Sequence, residues 1–107
     1  MQIELKELLG LVQGNESQSE PISVWEVGKN YHIRTVTMSL TGKLKIVGEK
    51  ELVLADGAWI ADTGRFADYL KNPLNASEVE PFVNDVIIGR GSVIDACIIE
   101  TLPREQK

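Results

Sequence analysis

The most constraining stretch of this 107-residue chain runs from Tyr31 to Asp56. Leu40, Gly42, Leu44 and Ile46 alternate with Thr41, Lys43 and Lys45, the period of two expected of a strand with one face buried and the other wet. Gly48-Glu49-Lys50 supplies a short turn, after which Leu52 and Leu54 take up the alternation again. The spacing predicts an antiparallel hairpin. Gly42 falls inside its first strand, where a missing side chain marks either a bulge or bend that curls a small sheet or a tolerated surface glycine.

Upstream, Tyr31, Ile33 and Thr35 share one face of a strand, with His32, Arg34 and Val36 on the other. Downstream, Val86-Ile87-Ile88 and Val93 to Ile99 are β-rich runs around Gly89-Arg90-Gly91-Ser92, which predicts a second hairpin or one strongly bent strand. The segment before them, Lys71 to Pro81, is rich in proline and turn formers and reads as a loop with a brief strand at Glu78 to Glu80. Ile22, Val24 and Trp25 suggest a further short strand. The expected fold is mainly β with short helices: a small, strongly bent antiparallel sheet or barrel.

An amphipathic helix is predicted before the sheet, because Leu5, Leu8, Leu9 and Val12 follow helical spacing and Gly14 offers a stop. The expected organisation is a helix over 1–13, a flexible Ser- and Glu-rich linker over 14–21, a β-barrel domain over 22–102 carrying an insertion at 57–82, and a frayed tail over 103–107.

One cysteine and one histidine exclude an internal disulfide and a cluster of soft metal ligands within one chain. Cys97, among apolar neighbours, reads as an inert core residue. The formal charge of −5 disfavours sequence-independent clamping of nucleic acid, although Lys29, Arg34, Lys43 and Lys45 could form a local basic patch. No run is long enough to cross a bilayer and no leader pattern is present, so a cytoplasmic location without membrane contact is expected.

The candidate site is built around Ala58 to Phe66. Trp59, Phe66 and Tyr69 offer stacking surfaces near Arg65, a planar cation suited to phosphate or carboxylate. The competing reading puts Trp59 and Phe66 in the core and pairs Arg65 with Asp62 or Asp68. Asp62 and Thr63 read first as caps for a helix from Arg65 to Leu70. Asp62-Thr63-Gly64 matches an aspartic protease triplet only in isolation, since Ala61 and Arg65 do not suit that site. His32 reads as solvated or merely hydrogen-bonded rather than catalytic, and no spacing joins it to Asp56 and Asp62 as an enzyme's constellation. The candidate ligand-binding set is Trp59, Asp62, Thr63, Arg65 and Phe66, with Arg34 and with Arg90 of the Arg-Gly turn. No cofactor or metal is called for.

The hairpin TGKLKIVGEKELVLADG resembles the first motif of the Sm-like fold, and VIIGRGSVI is similar to its second, which turns through Arg-Gly. The likeness covers about half of the chain and implies a homo-oligomeric ring completed through open sheet edges. The asparagine that contacts RNA bases in that family has no counterpart in Gly48-Glu49-Lys50-Glu51. The segment RTVTMSLTGKLKIVGEKELVLADGAWIADTGRF also looks like a group of small bacteriophage and prophage proteins, and this implies a phage origin. Together these lead to the expectation of a non-catalytic, self-assembling protein that sequesters an anionic nucleotide signal of host defence. The alternatives are a protein-interaction or phage structural module, and an Sm-like RNA-binding ring.

Overall fold

A computed structural model describes residues 23–107. The expected helix over 1–13 and the linker over 14–21 lie outside the described residues. Six strands form one antiparallel sheet: β1 (Asn30–Thr35), β2 (Ser39–Val47), β3 (Glu51–Asp62), β4 (Glu78–Pro81), β5 (Val86–Gly89) and β6 (Val93–Ile98). The order is β4-β3-β2-β1-β6, with β5 also pairing β3. The sheet is strongly bent but not closed, so of the two expected forms the open sheet is the one found. No helix among the described residues is long and apolar enough to cross a membrane.

The predicted hairpin of β2 and β3 is present, and its second strand is much longer than the alternation in Leu52 and Leu54 signalled. β3 continues through Ala58, Trp59 and Ile60 to Asp62, so the first part of the expected insertion at 57–82 is strand. Its first half pairs with β5, Glu51 opposite Gly89 to Leu54 opposite Val86. Its second half pairs with β4, Ala58 opposite Pro81 to Asp62 opposite Glu78. The two halves meet at a bulge where Gly42 of β2 stands against both Asp56 and Gly57 of β3.

Glycine is required on both sides of that bulge. A Cβ on Gly42 would sit 2.7 Å from the Cβ of Leu54, and one on Gly57 would sit 2.9 Å from the carbonyl oxygen of Thr41. Asp56 takes the left-handed backbone at φ 53°, a region that aspartate enters more readily than most residues. Of the two readings of Gly42, the bend is therefore the correct one. Arg104 fastens the same place from outside, donating to the carbonyl oxygen of Gly57 and, at 3.4 Å, to that of Phe82.

Two apolar clusters hold the sheet. The larger contains Tyr31, Ile33, Leu40, Leu44, Leu52 and Leu54, with Trp25 and Phe82 against it. Each fully buried Leu or Ile contributes about 1.5–3 kcal/mol. Trp25 packs as expected, its ring 5.2 Å from that of Tyr31, but residues 23–29 form no strand; Gly28 turns the chain at φ 93°. The smaller cluster, Ala58, Ile60, Tyr69, Ala76 and Val79, lies under helix α1 (Phe66–Lys71) and a 3-10 turn over Pro73–Asn75.

β5 and β6 do not form a hairpin. A 3-10 turn over Arg90–Ser92 carries the chain from the margin of β3 to that of β1, where Tyr31 faces Ile98 and Arg34 faces Asp95. The brief strand at Glu78 is present as β4. The tail is not frayed: Pro103 is buried, and the Lys107 amide donates to the Val79 carbonyl at 3.0 Å. Lys107 Nζ reaches the carbonyl oxygens of Leu74 and Ala76.

Candidate functional site

The alternation read in β1 places its side chains as expected, Tyr31 and Ile33 in the main core and His32 and Arg34 on the opposite face. Ladder pairing extends that face to both neighbours. His32 stands against Thr41 and Cys97, and Arg34 against Ser39 and Asp95. α1 covers the His32 end and leaves the Arg34 end open.

At the open end, near the tip of the β1–β2 hairpin, lies a hollow of about 480 Å³. Arg34, Thr35, Thr37, Ser39, Trp59 and Ile94 contribute to its wall. Two members of the expected set, Trp59 and Arg34, both border it but from opposite faces of the sheet, since Trp59 pairs with core-facing Leu40 whereas Arg34 pairs with Ser39 and Asp95. Trp59 is 41% exposed, so part of its ring remains available for stacking. Thr35, Thr37 and Ser39 also border the hollow, and the Thr35 hydroxyl is engaged in shaping the turn: it donates to the Met38 carbonyl at 3.0 Å and accepts from the Met38 amide at 3.1 Å.

Arg34 is held from the β6 side. Its Nε donates to Asp95 Oδ1 at 2.9 Å and its Nη2 to Asp95 Oδ2, a two-pronged ion pair with both side chains about half exposed. The hydrogen bond and charge of Asp95 raise the guanidinium further above its already high range, and the bond from Arg34 lowers the Asp95 carboxyl. Both groups are charged across the ordinary pH range.

The other expected residues go elsewhere. Asp62 accepts from the Gly64 amide at 2.8 Å, and the Thr63 hydroxyl donates to the Gly64 carbonyl at 2.8 Å. They shape the loop before α1 and do not cap the helix itself, whose first flanking residue is Arg65 with no side-chain cap. Among the described residues Arg65 forms no ion pair with Asp62 or Asp68. Arg65 and these loop residues do not line the hollow. Arg90 belongs to the scaffold: its Nη1 donates to the Gly48 carbonyl at 2.7 Å and its amide to the Lys50 carbonyl at 2.8 Å, locking the β2–β3 turn.

Phe66 packs in an aromatic group that the sequence reading missed. Its ring is 5.9 Å from His32 and 6.0 Å from Tyr69, and the His32 and Tyr69 rings are 5.1 Å apart. His32 is only 2% exposed and Tyr69 is fully buried, and His32 Nδ1 and the Tyr69 hydroxyl share a hydrogen bond of 2.7 Å. His32 is thus hydrogen-bonded, as expected, but not solvated. Burial pushes the imidazole below its ordinary range, Arg34 adds to that, and Asp95 opposes it. Burial also pushes the Tyr69 phenol up. Both are neutral near pH 7. His32 Nε2 and Thr41 Oγ1 are buried with no hydrogen-bond partner among the described residues.

Cys97 corrects the expectation of a core thiol. It is exposed, because β6 lies at the sheet margin and its ladder partner His32 is covered by α1 instead. What burial the thiol has raises it, as does Asp95, so it is held as the less reactive protonated form. No three His, Cys, Asp or Glu side chains gather as metal ligands among the described residues. Compared with family models, with curated proteins and with solved structures, the chain returns no match.

Proposed function

We propose that this chain is a non-catalytic binding protein that takes an anionic nucleotide-type ligand in the hollow at the β1–β2 hairpin tip. The observation that carries the reading is the hollow itself, bordered by the half-exposed Trp59 on one face of the sheet, by Thr35, Thr37 and Ser39 at the hairpin tip, and by Arg34 from the other face. A base stacks on an indole face whatever its identity, and a guanidinium fork matches phosphate. Of the set expected from sequence, only Trp59 and Arg34 border this hollow, whereas Asp62, Thr63, Arg65, Phe66 and Arg90 belong to the loop, the helix or the scaffold.

Self-assembly is the second part of the proposal. β6 and β5 each have one margin that no described strand covers, and β6 exposes Ile94 and Ile98. Such a margin invites strand pairing from a second copy. A phage protein that sequesters a nucleotide signal is the biological role consistent with this site. Titration calorimetry with cyclic nucleotides and ADP-ribose tests the reading. Heat is expected with at least one of them, and its loss in both Trp59→Ala and Arg34→Ala. Binding that survives both substitutions, or no heat with any probe while the protein remains folded, rejects the site.

The exposed apolar margin of β6 also favours a second reading, a protein-interaction module. That reading expects copurification of a defined partner and indifference to every nucleotide in the panel.

A further inference from the structure

The two ends of the sheet are not equally open. At one end the outer margin of β4 is taken by the chain's own tail: the Lys107 amide donates to the Val79 carbonyl at 3.0 Å, and the Val79 amide donates to the Lys107 carbonyl at 3.4 Å. That leaves β5, four residues long, as the strand there with an uncovered margin among the described residues. At the other end β6 pairs β1 and no other described strand.

The phase of the β1–β6 ladder fixes which backbone groups of β6 face outward. The Ile99 amide donates to the Asn30 carbonyl at 2.9 Å. Alternation then makes Cys97 with His32, and Asp95 with Arg34, the pairs that exchange hydrogen bonds inside the sheet. Ala96 and Ile98 turn their N–H and C=O groups to the open side. Alternation also sets the side chains of Ile94, Ala96 and Ile98 on the Tyr31 face, where Val24, Trp25 and Tyr31 border a mainly apolar hollow of about 480 Å³ along the strand. Ile94 and Ile98 are 65% and 52% exposed. Asp95 is the one charge on β6; it lies on the other face and is neutralised by Arg34, so it does not guard the edge as an unpaired charge would.

We propose that β6 is a homodimerisation strand: a second copy of this chain lays its own β6 antiparallel to the first, about a two-fold axis at Ala96, and continues the sheet across both molecules. This rests on the reading of the chain as self-assembling, and it makes the assembly a closed pair rather than a ring. A two-fold axis demands a strand that matches itself. Centred on Ala96, the run Ile94-Asp95-Ala96-Cys97-Ile98 does so: each Ile94 meets Ile98 of the other copy, Ala96 meets Ala96, and Asp95 meets Cys97. Centring on Asp95 sets two carboxylates opposite each other, and centring on Cys97 sets Ile94 against Glu100. With the axis at Ala96, its outward groups are in phase to exchange both hydrogen bonds with Ala96 of the second copy. The second copy's Ile94, opposite Ile98, closes the open side of the hollow beside Trp25. A ring needs β6 to pair with the far margin instead, where the tail occupies β4.

Sedimentation equilibrium on the full chain tests the inference, and a dimer is expected. Ile98→Lys should raise the dissociation constant about a hundredfold, since it removes an isoleucine from both symmetric pairs, while the far-ultraviolet circular dichroism stays unchanged. Mild oxidation reads the register. Ala96→Cys in a Cys97→Ser background should cross-link two chains, because the Cα atoms of a hydrogen-bonded pair stand about 5.5 Å apart. Wild-type Cys97 should not cross-link, because its two copies stand diagonally at about 7–8 Å. A Cys97 cross-link, a dimer that Ile98→Lys leaves intact, or a dimer in which Ala96→Cys fails to cross-link overturns the inference and leaves self-assembly standing. Assemblies of more than two chains do the same. A monomer at every concentration overturns both, whether β6 is bare or covered from within its own chain.

Discussion

His32 and Arg34 stand two positions apart on β1 and point to the same side of the sheet, yet one is sealed under α1 and the other meets water. The sealed residue has answered burial by remaining neutral and sharing a hydrogen bond with a neutral phenol. The open one keeps its charge and pairs with a carboxylate that solvent can replace. Backbone and strand are the same in both cases, so the cover supplied by one short helix decides which pair is sealed into the core and which stays in water.

The sharpest way to break this comparison is to remove the cover. Tyr69→Ala should cost about 3–5 kcal/mol, as for other buried aromatics truncated to alanine, measured by urea denaturation. Tyr69→Phe keeps the ring but leaves His32 Nδ1 without its partner, and should cost about 1–3 kcal/mol. Equal losses in the two variants would mean that the ring contributes nothing beyond its hydroxyl, contrary to its place in the smaller core cluster.

The pH dependence of folding comes next in size. The titratable groups facing His32 are Arg34 on its own strand, Asp95 and Cys97 on β6, and Tyr69 on α1. Its folded pKa lies below the unfolded value of about 6.5, so its contribution is complete above that value. As pH falls through about 6.5, the unfolded chain takes up a proton that the folded protein refuses, and stability drops until the folded pKa is reached. The carboxyl of Asp95 is lowered in the folded protein, so its own loss belongs to more acid solution, below about pH 4. Denaturation midpoints taken from pH 7.5 to 5 should fall in the wild type and lie flat in His32→Gln. A wild-type profile flat over that range would show that the imidazole titrates normally.

The smallest effect is expected at the open pair. Arg34→Ala and Asp95→Ala should leave the denaturation midpoint at neutral pH unchanged, since both groups are solvated whether folded or not. A clear shift in either variant would make this pair part of the framework of the fold.

Much of this contrast could be read in the chain before its fold was known. The strict alternation of Tyr31 to Val36 assigned the faces of β1 correctly, and Gly42 marked the bend because a missing side chain in a strand has few other uses. Trp59 and Arg34 were both singled out, but as members of a wider group centred on Arg65. What local periodicity does not carry is the identity of partners across a gap. Nothing near His32 signals that residues 66–71 return to cover it. Cys97 looks buried among apolar neighbours because a strand at a margin has the same composition as one inside a sheet. The run of β3 past Asp56 was hidden by the bulge, which breaks the alternation at the point where the strand continues.

That bulge also explains how the chain accommodates its middle third. β4 and β5 queue along a single margin of β3, one against each half, so the excursion over 63–77 departs from and returns to the same strand. Its two anchor points stay at a fixed separation whatever lies between them. The excursion is therefore a cassette: a longer or differently folded segment could replace it without rethreading any other strand, provided that Tyr69 or an equivalent ring still roofs the imidazole. The β1–β2 tip has no such freedom, because changing its length would pull Arg34 out of step with Ser39 across the ladder the tip closes.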